Sequence, residues 1–170
     1  MANAFGWIGA WLSRKKEEVV PPPSGINSIT PSAKQLAIYR EALKHEGWEE
    51  HKNRTAIAAF IGKSGIKLDP VTLPWCAAFA NGCCAAVGVK GTGSAMARSF
   101  LDLPRTFYPK EGDFVIFWRV APKAATGHVG FFVRFSADKT KVLCYAGNQS
   151  NSVGFAWQDV KTILGYTRIE

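Results

Sequence analysis

The chain has 170 residues, 47% of them hydrophobic and 20% charged, and carries a formal net charge of +8. That size and balance exclude a disordered polypeptide and a small domain that needs metal or disulfide staples, and they fit one domain with a short extension. The positive excess favours a polyanionic partner without choosing among nucleic acid, an anionic membrane and a bacterial envelope.

The first residues place Trp7, Trp11 and Leu12 beside Arg14, Lys15 and Lys16. The apolar run is too short to cross a bilayer, and its basic residues follow the apolar part, the reverse of a signal peptide. Residues 1–16 read either as a loosely docked tail or as an interfacial anchor on an anionic membrane. Pro21, Pro22, Pro23, Ser24 and Gly25 form a stiff linker. The expected division is a tail and linker over 1–31 and a domain over 32–170, with no transmembrane span.

Ser32 with Gln35 has capping-box spacing, and Leu36, Tyr39 and Leu43 recur at helical intervals. A helix is predicted there, ended by Gly47. A second is predicted over 54–61, where Ile57, Phe60 and Ile61 share a face. A third is predicted over 75–87, opened by Pro74 and closed by Gly88, with a further turn or two over 94–101. After Pro109 the character changes to β-branched and aromatic runs, which predict strands over 113–120, 128–135, 141–145, 152–156 and 163–169. Helices first and strands second imply an α+β fold, with an antiparallel sheet backed by helices.

The four cysteines are Cys76, Cys83, Cys84 and Cys144. They include no C-x-x-C pair, and only three histidines accompany them, so a zinc site has little support. The pattern fits reduced thiols of a cytosolic protein. Cys76 falls in the first turn of the third helix, where free N–H groups and the helix dipole favour an anion; a lowered thiol pKa is expected. The same N–H groups suit a developing oxyanion. Cys76, Phe79, Ala80, Cys83 and Val87 also fit one apolar stripe, so an inert core thiol is the competing reading. That reading is kept for Cys83, Cys84 and Cys144.

His128 opens a strand on the same face as Gly130 and Phe132, and is a natural general base for a thiol. Asn148 follows the next strand. A hairpin would bring it beside His128 to orient the imidazole, unless Gly147 and Asn148 are only a turn.

The pieces Pro74-Trp-Cys-Ala-Ala-Phe-Ala-Asn81, Gly91-Thr-Gly-Ser-Ala-Met-Ala-Arg-Ser99, Gly112-Asp-Phe-Val-Ile-Phe-Trp118, Gly127-His-Val-Gly-Phe131 and Gly147-Asn-Gln149 occur in this order. Together they resemble the NlpC/P60 and CHAP superfamily, and within it the small phage-associated, endolysin-like peptidoglycan hydrolases, over about residues 32–170. The resemblance implies a papain-like fold and hydrolysis of an amide bond in bacterial cell-wall stem peptide or cross-link. It implies Cys76 as nucleophile, His128 as base and Asn148 as the orienting third residue. That third position varies among relatives. The stretch from Asp69 to Leu73 is less acidic than the family's.

No metal or organic cofactor is needed for such a reaction, and activity should be highest from neutral to mildly alkaline pH. Trp75, Trp118, Tyr145 and Gln149 are candidate substrate-binding residues, although the aromatics suit the core equally well. The resemblance further implies a monomer that acts on peptidoglycan, held in the host cytoplasm before lysis and working at the wall afterwards. Rival readings are a papain-like enzyme for a protein or other acyl substrate, and a wall-binding relative without activity. A nucleic-acid binder ranks low, because the basic residues are scattered and no nucleic-acid motif is present.

Overall fold

The computed structural model describes residues 31–170. The expectations for residues 1–16 and for the linker therefore lie outside the described residues. Three α-helices come first: α1 (Ala33–Leu43), α2 (Arg54–Gly62) and α3 (Cys76–Ala86). A 3-10 helix, Ala97–Asp102, precedes five strands: β1 (Phe114–Trp118), β2 (Gly127–Phe135), β3 (Lys141–Gln149), β4 (Ser152–Asp159) and β5 (Ile163–Thr167). The strands form one sheet in the order β4-β3-β2-β1-β5, every neighbouring pair antiparallel. The chain is thus α+β, as its pattern predicts. No helix among the described residues is long and apolar enough to cross a membrane.

Ser32 caps α1, its Oγ accepting from the Gln35 N–H at 3.0 Å. Gln35 does not close the expected box. Its side chain is buried and ties α1 to the sheet instead, donating to the Gly112 carbonyl at 2.6 Å and accepting from the Ile169 N–H at 2.9 Å. The sheet's tertiary demand overrides a local cap. The α1 turn ends at Leu43, and a looser turn carries the chain to Gly47 at φ +80°. Pro74 lies one residue before the α3 cap, Trp75, rather than inside the first turn. β3 runs four residues past its expected end and β4 three past its own, because they pair over nearly their whole length.

Strand alternation gives the sheet two apolar faces. Phe114, Ile116, Val129, Phe131 and Tyr145 pack with the helices in the main core. Val115, Phe117, Phe132, Val142, Cys144 and Ala146 make a smaller core on the other face. Helix α3 is buried along nearly its whole length between α1, α2 and the sheet. Such a helix is apolar all round, which is why its sequence shows no polar stripe. A buried ion pair, Arg168 Nη2 to Asp113 Oδ2 at 2.7 Å, ties the C-terminal segment to the start of β1.

Candidate active site

The N-terminus of α3 is lowered onto β3 by one glycine. A Cβ on Gly147 would sit 2.7 Å from the Trp75 ring and 2.8 Å from Phe79. Trp75 itself is fully buried and donates its indole N–H to Glu50 at 3.3 Å, which anchors the residue preceding Cys76. Asn81, one helical turn and a half further on, holds the next wall of the site. Its amide donates to Ala77, Thr92 and Ser94, and its oxygen accepts from the Gly93 N–H at 2.9 Å. The loop leading to Ala95 and Met96 is thereby clamped to α3.

Cys76 and His128 line one groove of about 440 Å³, with Asn148 and Arg119. Their own side chains lie at its base, 5% and 2% exposed. Ile66, Leu68, Leu73 and Met96 supply much of the apolar wall. A mostly apolar concavity with a few convergent polar groups is the usual form of a small-substrate site.

The sheet opens where the groove lies. Phe132 exchanges backbone bonds with residues 112 and 113 on the β1 side, so alternation turns the N–H groups of Phe131 and Val129 towards β3. Pairing with β3 nevertheless starts only at Phe131. The Val129 N–H is left facing the Cys76 sulfur, and together with the N–H groups of Cys76 and Ala77 it favours a thiolate.

Burial outweighs those donors. It pushes the Cys76 thiol above its ordinary value, opposed by the Val129 N–H and by the charge of Arg119. The expected lowering of the thiol pKa is therefore corrected: a helix N-terminus activates a cysteine at the surface, but removing the sulfur from water costs the thiolate more. His128 is held down at about 3, first by burial and then by Arg119, with the Gln149 side chain acting the other way. Its ring stacks on Phe117 of the paired strand, centroids 6.2 Å apart. The resting pair is a thiol beside a neutral imidazole.

Asn148 is brought to the groove but makes no hydrogen bond with the imidazole: both ring nitrogens of His128 are buried without a hydrogen-bond partner among the described residues, and Gln149 is the side chain that favours its protonated form. The cause is a β-bulge. The β3–β4 register breaks between Ala146 and Gln149, and Asn148 takes φ +57°. One extra residue there re-aims both side chains. Gln149 is buried and fixed, its amide donating to the Cys144 carbonyl at 2.9 Å and the Gly154 carbonyl at 2.8 Å. Its Oε1 accepts from Gln158 at 3.1 Å and keeps a second lone pair for an imidazole N–H.

The aromatic candidates fare differently. Trp75 and Tyr145 have no exposed surface and are core residues, Tyr145 donating its hydroxyl to the Ala42 carbonyl at 3.2 Å. Neither can touch a substrate. Trp118 is half-buried, donates to the Lys161 carbonyl at 3.3 Å and lies outside the groove lining. Gly130 is required by the sheet: a Cβ there would meet the Cys144 sulfur at 2.3 Å and the Tyr145 carbonyl oxygen at 2.8 Å. Sequence reading missed Arg119, whose only signal is a cation directly after an apolar strand, and the wall residues Leu73 and Met96, which carry no signal beyond exposure.

No protein-family model matches the chain, and no curated protein matches it significantly.

Proposed function

We propose that the protein is a cysteine amide hydrolase of bacterial peptidoglycan, with Cys76 as nucleophile and His128 as base. One observation carries the reading: a cysteine at a helix start and a histidine at a strand start, distant in sequence, share the base of one groove. The five motif pieces that resemble the NlpC/P60 and CHAP superfamily supply the substrate class, and the papain-like form of the α+β fold belongs to the same proposal.

With both groups neutral at rest, His128 takes the Cys76 proton as the sulfur attacks the amide carbonyl. The carbonyl oxygen becomes an oxyanion, which backbone N–H groups at the α3 start are suited to hold. The imidazolium then protonates the leaving amine. Water, losing its proton to His128, cleaves the thioester and restores the thiol. Gln149, whose Oε1 keeps a lone pair, takes the orienting role expected of Asn148 by closing a hydrogen bond to the imidazole N–H that is unmade at rest, which fixes the tautomer that accepts the thiol proton.

Gln149→Leu removes that acceptor and keeps the bulk. Its kcat should fall about tenfold to a hundredfold with KM little changed, while Gln149→Asn, which keeps a side-chain amide able both to donate and to accept, restores part of the rate. Steady-state kinetics on a stem peptide decide it. Equal loss in both variants would make Gln149 structural only.

The substrate is tested by digesting purified meso-diaminopimelate peptidoglycan and identifying the products by mass spectrometry. Free lactyl-muramic acid would identify an amidase, and cut stem or cross-link peptides an endopeptidase. The burial of Cys76 and His128 favours one alternative, a wall-binding relative without activity. Folded protein that retains sacculi but releases no fragment would establish that alternative.

A further inference from the structure

The groove holds an unbalanced charge. Its lining includes two cations, Arg119 and Lys67, and no carboxylate. The adjoining depression beyond Arg119, lined by Asn148, Gln149 and Gln158 among others, has no carboxylate either. Asp69, the one acid in the stretch leading to Cys76, is committed elsewhere: its Oδ1 accepts from Arg54 Nε at 2.9 Å and from the Val71 N–H at 3.1 Å.

Arg119 is anchored through its backbone. Its N–H donates to the Thr126 carbonyl, and its own carbonyl accepts from the Ala121 N–H at 2.8 Å and the Thr126 hydroxyl at 3.0 Å. The following residue, Val120, is 88% exposed and sits at φ +70°, a strained conformation for a β-branched residue. Arg98 braces the same loop, donating to the Pro122 carbonyl at 2.9 Å. The guanidinium at the end of this fixed turn is exposed and makes no ion pair or hydrogen bond with any described residue. It lines the same groove as Cys76 and His128, and its charge reaches both.

We propose that Arg119 is the carboxylate anchor of the groove, binding an anionic group beside the amide carbonyl presented to Cys76, so that the substrate is an acidic peptide. A planar fork of N–H donors matches a carboxylate in two-point contact, and Leu73 and Met96 offer the apolar wall for an adjoining side chain. The proposal rests on Cys76 as nucleophile. It adds that free-carboxylate stem peptides are preferred over the same peptides amidated at those carboxylates.

The test compares alkylation of Cys76 by iodoacetate, which carries a carboxylate, and by neutral iodoacetamide, with 2-mercaptoethanol as the reference thiol. Cys83, Cys84 and Cys144 are fully buried, and peptide mapping confirms the site of labelling. A lowered thiol pKa would speed both reagents alike; an anion site changes only their ratio. In wild-type protein at low ionic strength the iodoacetate-to-iodoacetamide ratio should exceed the reference by about fivefold, the range of a solvent-exposed ion pair. It should collapse to the reference in Arg119→Gln and survive in part in Arg119→Lys. A wild-type ratio equal to the reference, or an unchanged ratio in Arg119→Gln, overturns the anchor. Absence of any Cys76 alkylation overturns anchor and nucleophile together. A raised ratio with neither form of stem peptide cleaved supports the anchor and overturns the wall substrate.

Discussion

On the proposed function, Cys76→Ala protein should fold as the wild type does and should release nothing from peptidoglycan: the expected fall in kcat/KM is about four orders of magnitude or more, to the limit of detection. The site tolerates the change because Cys76 packs as a small apolar residue at the start of a helix buried along nearly its whole length. Losing one sulfur removes few contacts, so the expected stability change is about 1–2 kcal/mol. The separation of the two effects is the point of the experiment. Circular dichroism and a urea transition report the fold, and fragment release reports the chemistry. A variant that remains active would remove Cys76 from the reaction.

Acid should destabilise the protein through His128. The imidazole is nearly fully buried and held at about 3, against about 6.5 in an unfolded chain. As pH falls below 6.5, the unfolded state takes a proton that the folded state refuses, so the unfolded state gains. Stability present above pH 6.5 is lost at about 1.4 kcal/mol per pH unit until the folded imidazole protonates near 3, or about 3 kcal/mol by pH 4. What sets this is burial, with Phe117 stacked on the ring, then the charge of Arg119, opposed by Gln149. His45 is also lowered by burial and adds a slope of its own. His128→Gln keeps a neutral polar group and cancels only the His128 share. Urea unfolding between pH 7 and 4 should therefore give a flatter profile for the variant. Identical slopes would mean that His128 titrates normally in the folded protein. The same depression leaves His128 neutral through the mildly acid range, so on the proposed mechanism the acid limb of kcat/KM should lie below the ordinary imidazole region.

The positions of Cys76 at a helix start and of His128 near a strand start were legible in the sequence because both follow from local signals. Pro74 and Gly88 frame the helix that Cys76 begins, and Gly127 opens the strand that carries His128. Local signals of this kind survive folding. The third polar group was not legible to the residue. Whether Asn148 or Gln149 meets the imidazole is decided by a bulge between β3 and β4, and a slip of one residue in a strand exchanges faces. The thiol's pKa was not legible either. Helix position is local, but burial of the sulfur under the groove wall is tertiary, and burial is the larger effect. Trp75 and Tyr145 show the same limit: a core aromatic and a groove aromatic have one composition, and only packing separates them. Arg119 is a surface cation like many others in the sequence. Its significance rests on which residues converge around it and on the absence of an acid among them.

The most direct measurement is the intact mass of the protein, acid-quenched within its first turnovers on a stem peptide. A thioester at Cys76 adds the acyl portion of the peptide, maps to the fragment that contains Cys76, disappears with hydroxylamine, and never forms on Cys76→Ala. Turnover of the same peptide with no adduct under any quench, and with Cys76→Ala equally active, would contradict covalent catalysis at this cysteine.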